Sequence, residues 1–279
     1  MTMRIGISIP VRDLQNDHAG IAQFSREAED LGFTHLRVPD RLAATDVDHV
    51  HEPLTLLAWV AAHTDSIELV PSVIVLPTRQ TIVVAKQAAE IDQLSGGRLR
   101  FGVGVGAREE DYAIFGQEFA LRGKRCDEQI TILRRLWTEE AVHFNGRWDR
   151  LQGERINPLP VQQPIPIWIG GAQIPGAPVI RRIGRVADGW FALMAPEAYP
   201  DVREAIEHQA EAAGRDAAKI GSESAVQIVG KTEAEWLAEV EAWRETGVTH
   251  LCLRTLGVGL QTNGHLEALH GAREALNRL

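Results

Sequence analysis

The stretch Ile91-Asp92-Gln93-Leu94-Ser95-Gly96-Gly97-Arg98-Leu99-Arg100-Phe101-Gly102-Val103-Gly104-Val105-Gly106 decides the fold. Its first half completes a helical face carrying Val84, Ala88 and Ile91 at spacings of three and four, which Gly96-Gly97 stops. Its second half, Leu99 to Val105, reads as a strand in which Gly102, Gly104 and Gly106 alternate with Val103 and Val105. Strand side chains repeat every two residues, so the three glycines share one face. Interior glycines weaken a strand and often mark the close approach of a ligand or of another backbone. Two readings of that face follow: a flat ring lying over it, or tight packing inside a barrel. Gly102-x-Gly104-x-x-Ala107 also fits a loose dinucleotide fingerprint. That motif belongs after the first strand of a βαβ unit and opens a helix, whereas these glycines sit within a fourth strand.

Outward from this unit the same alternation of strand and helix continues in both directions. Before it come strands at Met3 to Ile9, His35 to Val38 and Ile67 to Val75. A helical stripe of Ile21, Phe24, Ala28 and Leu31, stopped at Gly32, and a helix over Pro53 to His63 separate them. After it, Ile130, Leu133 and Trp137 share a helical face, and strands follow at Ile165 to Ile169, Gly189 to Leu193, Ser224 to Val229 and Val248 to Leu253. Helices over Ala177 to Val186 and Glu197 to Ala213 lie between these strands. Thr232 and Glu235 form a capping box that opens a helix burying Trp236, Val240 and Trp243, and Leu269, Ala272, Leu276 and Leu279 line the last helix. Eight strands alternating with eight principal helices predict a parallel sheet, closed as one α/β (β/α)₈ TIM-barrel domain over residues 1–279. An open doubly wound sheet is the structural alternative. One excursion, Val142 to Pro164, breaks the rhythm before strand five; Asn145-Gly146 marks a hairpin turn in it.

Composition narrows the function classes. A net charge of −9 argues against nucleic acid as a partner, since phosphate binding needs a basic face. Cys126 and Cys252 stand far apart without CxxC spacing, so neither a disulfide framework nor a cysteine zinc site is expected. No apolar run reaches about 18 residues, the length that spans a bilayer. Met1 to Pro10 reads as a strand without a signal-peptide pattern, so a cytoplasmic protein without membrane partners is expected.

Active sites of such barrels lie at the C-terminal ends of the strands. That rule nominates Asp40 and Arg41, Ser72 and Val73, Gly106 to Glu110, Gly170-Gly171-Ala172, and Arg254. Gly170-Gly171 follows a strand and precedes a helix, so it is a phosphate candidate through bare N–H groups and the helix dipole, or simply a tight turn. Glu109, Glu110 and Asp111 complement a helix start electrostatically, or supply a proton-transfer group. His49-Val50-His51-Glu52, with Asp46 and Asp48, lacks HExxH spacing and reads as a solvated loop, so no metal site is expected.

These residues together resemble the luciferase-like monooxygenase superfamily, and most closely its branch that uses the deazaflavin coenzyme F420. The runs that carry the likeness are Ala28-Glu29-Asp30-Leu31-Gly32-Phe33 with Val38-Pro39-Asp40, Pro71-Ser72-Val73-Ile74-Val75-Leu76-Pro77, and Ala85-Lys86-Gln87. To these are added the stretch quoted first, Arg122-Gly123, Asp127-Glu128, Ile167-Trp168-Ile169-Gly170-Gly171, Ala187-Asp188-Gly189-Trp190 and Gly247-Val248-Thr249-His250-Leu251. The resemblance implies a homodimer, a cofactor ring against strands three and four, and a non-proline cis peptide at Ser72-Val73. It implies cofactor contacts from Asp40, Ser72, Val73, Gly104 and Gly106, with phosphate contacts from Gly170, Gly171 and Ala172. Hydride transfer between F420 and a small organic substrate is the expected activity. An FMN-dependent monooxygenase and a non-catalytic flavin- or deazaflavin-binding paralogue are the alternatives. Two departures matter. Arg41 stands where sugar-phosphate dehydrogenases of the branch carry a catalytic His, and a guanidinium is a poor base. Ala107 stands where many relatives carry Trp. Arg41 and Glu109 are therefore the candidates for substrate contact and proton handling.

Overall fold

Among the described residues, parallel hydrogen bonding joins eight strands edge to edge until the last edge meets the first. The computed structural model describes residues 3–41 and 49–279. The strands are β1 (Arg4–Ser8), β2 (His35–Val38), β3 (Glu68–Pro71, resuming at Ile74–Val75), β4 (Phe101–Gly104), β5 (Ile167–Ile169), β6 (Gly189–Phe191), β7 (Gly221–Gln227) and β8 (His250–Arg254). β8 pairs with β1, and each strand pairs with its successor through to β8. Between β3 and β4 the ring closes twice. Leu69 donates its N–H to the Arg98 carbonyl at 2.9 Å and accepts from the Arg100 N–H at 3.0 Å, and beyond the break Ile74 and Val75 pair with Val103 and Gly104.

Among the described residues, eight main helices surround the barrel: α1 (His18–Asp30), α2 (Pro53–Ala61), α3 (Thr81–Leu94), α4 (Arg122–Leu136), α5 (Ala177–Val186), α6 (Tyr199–Ala212), α7 (Glu233–Glu245) and α8 (Thr262–Leu276). α2 starts where Pro53 occupies its first turn and the Glu52 carboxylate accepts the Thr55 N–H. α7 starts at the expected reciprocal box of Thr232 and Glu235. No helix among the described residues is long and apolar enough to cross a membrane.

Period two divides each strand between two environments. Ile7, Leu36, Leu69, Phe101, Leu251 and Leu253 are fully buried and join the helix faces in one apolar cluster. The alternate residues face the barrel axis, where Val70, Trp168 and Phe191 form only a small separate apolar cluster. Much of the rest of the axis holds buried polar and charged side chains, among them Ser8, His35, Arg37, Arg100, Glu223 and His250. That explains one shifted boundary: the seventh strand was expected over Ser224 to Val229, yet it spans Gly221–Gln227. Its opening Gly-Ser-Glu has no apolar signature, because Glu223 points at charges across the barrel and not at a helix.

The excursion forms an antiparallel hairpin, Val142–Asn145 against Arg150–Glu154. A single carboxylate on α4 holds its turn: Glu128 accepts the N–H groups of Arg147, Trp148 and Asp149 at 2.8, 2.9 and 2.9 Å.

Candidate active site

A ladder of alternating charge runs up the barrel axis to the C-terminal mouth. At the lower end Arg100 donates Nε to Glu68 at 2.7 Å and Nη1 to Glu223 at 2.5 Å. The other Glu223 oxygen lies 2.8 Å from Arg37 Nη1 and 3.4 Å from His35 Nε2. Arg37 then donates Nη2 to Ser72 Oγ at 2.5 Å. Glu223 is wholly buried, and burial alone would raise its pKa; Arg100, His35 and Arg37 outweigh that and hold its carboxyl well below the usual range. Cys252 adds a third potential ligand atom to His35 and Glu223, all within 4.8 Å. Two guanidiniums already hold the carboxylate, which makes the cluster an ion-pair network rather than an open ligand set. Sequence reading missed this ladder. Its one available signal was Arg37 and Arg100 standing inside strands between apolar neighbours, Leu36 and Val38 for the first and Leu99 and Phe101 for the second.

The ladder ends on the break in β3. The Ser72-Val73 peptide there is cis, at the expected position. Beyond it the chain is pinned by Asp40, whose Oδ2 accepts the Val75 N–H and whose Oδ1 accepts from Arg79 Nη2, both at 2.9 Å. Arg79 also donates to Glu52 at 2.9 Å. The Asp40 side chain is fully buried, and that burial raises its pKa in spite of Arg79.

The glycines of β4 fit this break. A Cβ on Gly102 would meet the Pro71 carbonyl oxygen at 2.1 Å, one on Gly104 would meet Val73 Cγ2 at 2.6 Å, and one on Gly106 would meet Val75 Cγ1 at 2.8 Å. From the other side a Cβ on Gly170 would meet Val73 Cγ1 at 2.7 Å. Of the two readings of the glycine face, the close approach is therefore that of β3 itself. Val73 sits in a socket whose walls are Gly104 and Gly170.

Two cavities flank the socket. An outer cleft of about 300 Å³ is lined by Asp40, Arg41, Val75, Gly106, Arg108 and Asp111, among others. An axial cavity of about 210 Å³ is lined by Ser8, Arg12, Arg37, Ser72 and Arg254, with Val38, Pro39 and Leu256. The structure thus brings Asp40, Arg41, Ser72, Val73, Gly104, Gly106 and Gly170 around one break in one strand.

Other nominated residues lie further out. Glu109 is exposed at the start of the short helix Glu109–Ile114, and it is Asp111, 3.7 Å from Arg108 Nε, that lines the cleft. The placement of Gly170-Gly171 at a helix N-terminus is corrected. Residues 171–176 intervene before α5, and the Gly170 N–H is taken by the Val103 carbonyl at 2.8 Å. Ala172 is exposed beside them. In the polar loop, Glu52 caps α2, and the His51 ring nitrogen bonds the Gln15 carbonyl at 2.7 Å; Asp46 and Asp48 lie outside the described residues.

Comparison with known proteins identifies the family and the fold. The sequence model of the luciferase-like monooxygenase family matches residues 3–278. An uncharacterized protein of Mycobacterium tuberculosis is 34% identical over 185 residues, 60% of this chain and 62% of that protein. An F420-dependent glucose-6-phosphate dehydrogenase of Amycolatopsis mediterranei is 32% identical over 204 residues, 69% of this chain and 60% of that enzyme. The chain thus spans about 60% of the length of these curated relatives. Among solved structures, an F420-dependent secondary alcohol dehydrogenase in complex with an F420-acetone adduct superposes with a TM-score of 0.84 at 16% identity over 99% of both chains. A monooxygenase from Streptomyces bottropensis does so at 0.84 and 20% identity, also over 99% of both. At those identities the likeness is one of fold.

Proposed function

The chain belongs to the luciferase-like monooxygenase family, and from that premise we propose that it is an oxidoreductase moving a hydride between the deazaflavin F420 and a small organic substrate. The observation that carries the reading is the Val73 socket, an apolar side chain seated against Gly104 and Gly170 where neither projects a side chain, beside an outer cleft whose lining includes the guanidiniums of Arg41 and Arg108 together with Asp40 and Asp111. A flat anionic cofactor fits such a wall: the ring needs an apolar platform, and its phosphate and acidic tail need positive charge nearby. When bound, the deazaflavin supplies a carbon in place of flavin N5 and so carries two electrons as hydride, with little reactivity toward oxygen.

The residues of this chain supply orientation and electrostatics. Val73 forms the platform, held by Gly104 and Gly170, with Ser72 and Gly106 on its two sides. Gly171 and Ala172 continue the wall toward the cofactor's phosphate. Asp40 acts through the Val75 N–H and Arg79, fixing the strand beyond the platform. Arg41 contributes positive charge to the outer cleft; a guanidinium stays protonated and does not serve as the base. Glu109, at the exposed start of its helix, remains the candidate for exchanging a proton with solvent.

The test is a pair of titrations of the purified protein with F420 and with FMN, followed by intrinsic tryptophan fluorescence. Saturation by F420 at a concentration at least about tenfold below that for FMN, a difference of about 1.4 kcal/mol, is expected. Preference for FMN would replace hydride transfer with the monooxygenase reading, and binding of neither would overturn both. The resemblance also leads us to propose a cytoplasmic homodimer, for which light scattering should give about twice the 30.8 kDa chain mass.

A further inference from the structure

We propose that the axial cavity is an anion subsite and that the substrate is a small oxyanion, a carboxylate or a phosphate ester, whose charged group seats on Arg254. This rests on the reading that the cofactor lies at the Val73 socket, because only then does a group in the cavity lie beside the reacting ring.

Charge bookkeeping along the axis singles out Arg254. The cavity wall contains three guanidiniums, those of Arg12, Arg37 and Arg254, and no carboxylate. Arg37 is committed to Glu223 and Ser72. Arg12 has partners of its own. Glu223, the nearest acid along the axis, is shared by Arg37, Arg100 and His35. Among the described residues nothing accepts a hydrogen bond from the Arg254 guanidinium. Its burial and the nearby Arg37 push its pKa down from the ordinary value by more than Cys252 and Glu223 raise it, consistent with a cation that no anion touches directly. A partly buried cation kept in that condition at the mouth of an active site is best explained by an anion that arrives with the ligand.

The neutral groups in the wall suit the same ligand. Ser72 Oγ accepts from Arg37, so its own hydroxyl hydrogen is free to donate. A planar guanidinium fork matches the two oxygens of a carboxylate or phosphate. A volume of about 210 Å³ is below that of drug-sized sites and suits a substrate of a few heavy atoms. The position also separates this charge from the outer cleft, where Arg41 and Arg108 lie on the far side of the break in β3.

The test measures anion binding directly, with the whole chain and without turnover. Acetate, inorganic phosphate and neutral acetamide are titrated calorimetrically at constant ionic strength, with and without saturating F420. Acetate or phosphate should bind and acetamide should not, and the stronger of the two anions identifies carboxylate or phosphate. Arg254→Gln should weaken the preferred anion by about tenfold or more while leaving F420 affinity within about twofold. Arg254→Lys, which keeps the charge but loses the fork, should fall between, and it stands in if the glutamine variant does not fold. Undiminished anion binding in the folded glutamine variant, or equal binding of acetamide, would overturn the subsite. Displacement of the anion by F420 would assign the cavity to the cofactor and overturn the substrate class. If F420 fails to bind while acetate still binds through Arg254, the cofactor reading fails and the anion site stands.

Discussion

Glu223 is the residue on which the barrel axis depends. Its two oxygens hold the buried side chains of Arg37 and Arg100, which are only 7% and 3% exposed, and Arg37 in turn holds Ser72 beside the proposed cofactor platform. Removing one member of a buried ion pair strands the other in a medium that cannot solvate it, which costs about 3–5 kcal/mol. Glu223→Gln should therefore lower unfolding free energy by about that amount in urea at pH 7. A loss under about 1 kcal/mol would mean that water or other acceptors satisfy both guanidiniums, and the ladder would not be what orders the axis. The pairing itself was not legible in sequence. Arg100 and Glu223 are 123 positions apart, and only closure of the barrel makes them neighbours. By contrast Arg254 and Asp40 were legible, because the end of a strand is a local property and the barrel rule assigns such ends to the site.

At the scale of the element, the break in β3 and the glycines of β4 are one device. The alternation Gly102, Gly104, Gly106 located the device and its face correctly, because period two is written in the chain. It did not say what fills the face, since a ligand ring and a neighbouring strand make the same demand for missing side chains. The contacts decide for the strand, with Val73 seated between Gly104 and Gly170. Two substitutions follow. Gly104→Ala and Gly170→Ala each force a methyl against Val73 at under 3 Å, which should destabilise by about 1–3 kcal/mol, as overpacking does. Each should also weaken F420 binding by about tenfold or more as the platform shifts, a change of about 1.4 kcal/mol. Gly271→Ala is the control: it lies in α8 with no atom within 4 Å of the added carbon, and helix propensity makes it neutral or stabilising by about 0.5–1 kcal/mol. Thermal melts paired with cofactor titrations separate the effects. Unchanged F420 affinity in the two socket variants would mean that Val73 is a packing residue and not the platform.

The whole molecule should register the axis as a pH optimum of stability, because the pKa values of His250 and Glu223 are lowered and that of His35 is raised. His250 is held neutral by burial, Arg100 and His35, which lower its pKa from 6.5 to about 2. The unfolded chain takes up that proton below about pH 6.5, so the contribution of His250 is present above 6.5 and is lost as pH falls toward 2. Burial opposes a charge on His35, but Glu223 outweighs it and raises the pKa above 6.5. The contribution of His35 is then complete below 6.5 and is lost as pH rises through its folded value. Glu223, held below its ordinary 4.5, adds a contribution present above that value and lost only in stronger acid. Between pH 5 and 8 the sum is a peak near 6.5, with each limb sloping by at most about 1.4 kcal/mol per pH unit for each group. Glu223→Gln removes the anion that charges His35, so burial then lowers the pKa of both histidines. The variant should lose the fall above pH 6.5 and show a steeper fall below it, turning the peak into a plateau at neutral and mildly basic pH. Urea midpoints at half-unit steps across this range distinguish the two shapes. An unchanged peak in the variant would show that the histidines titrate independently of Glu223 and that the axis is not one coupled network.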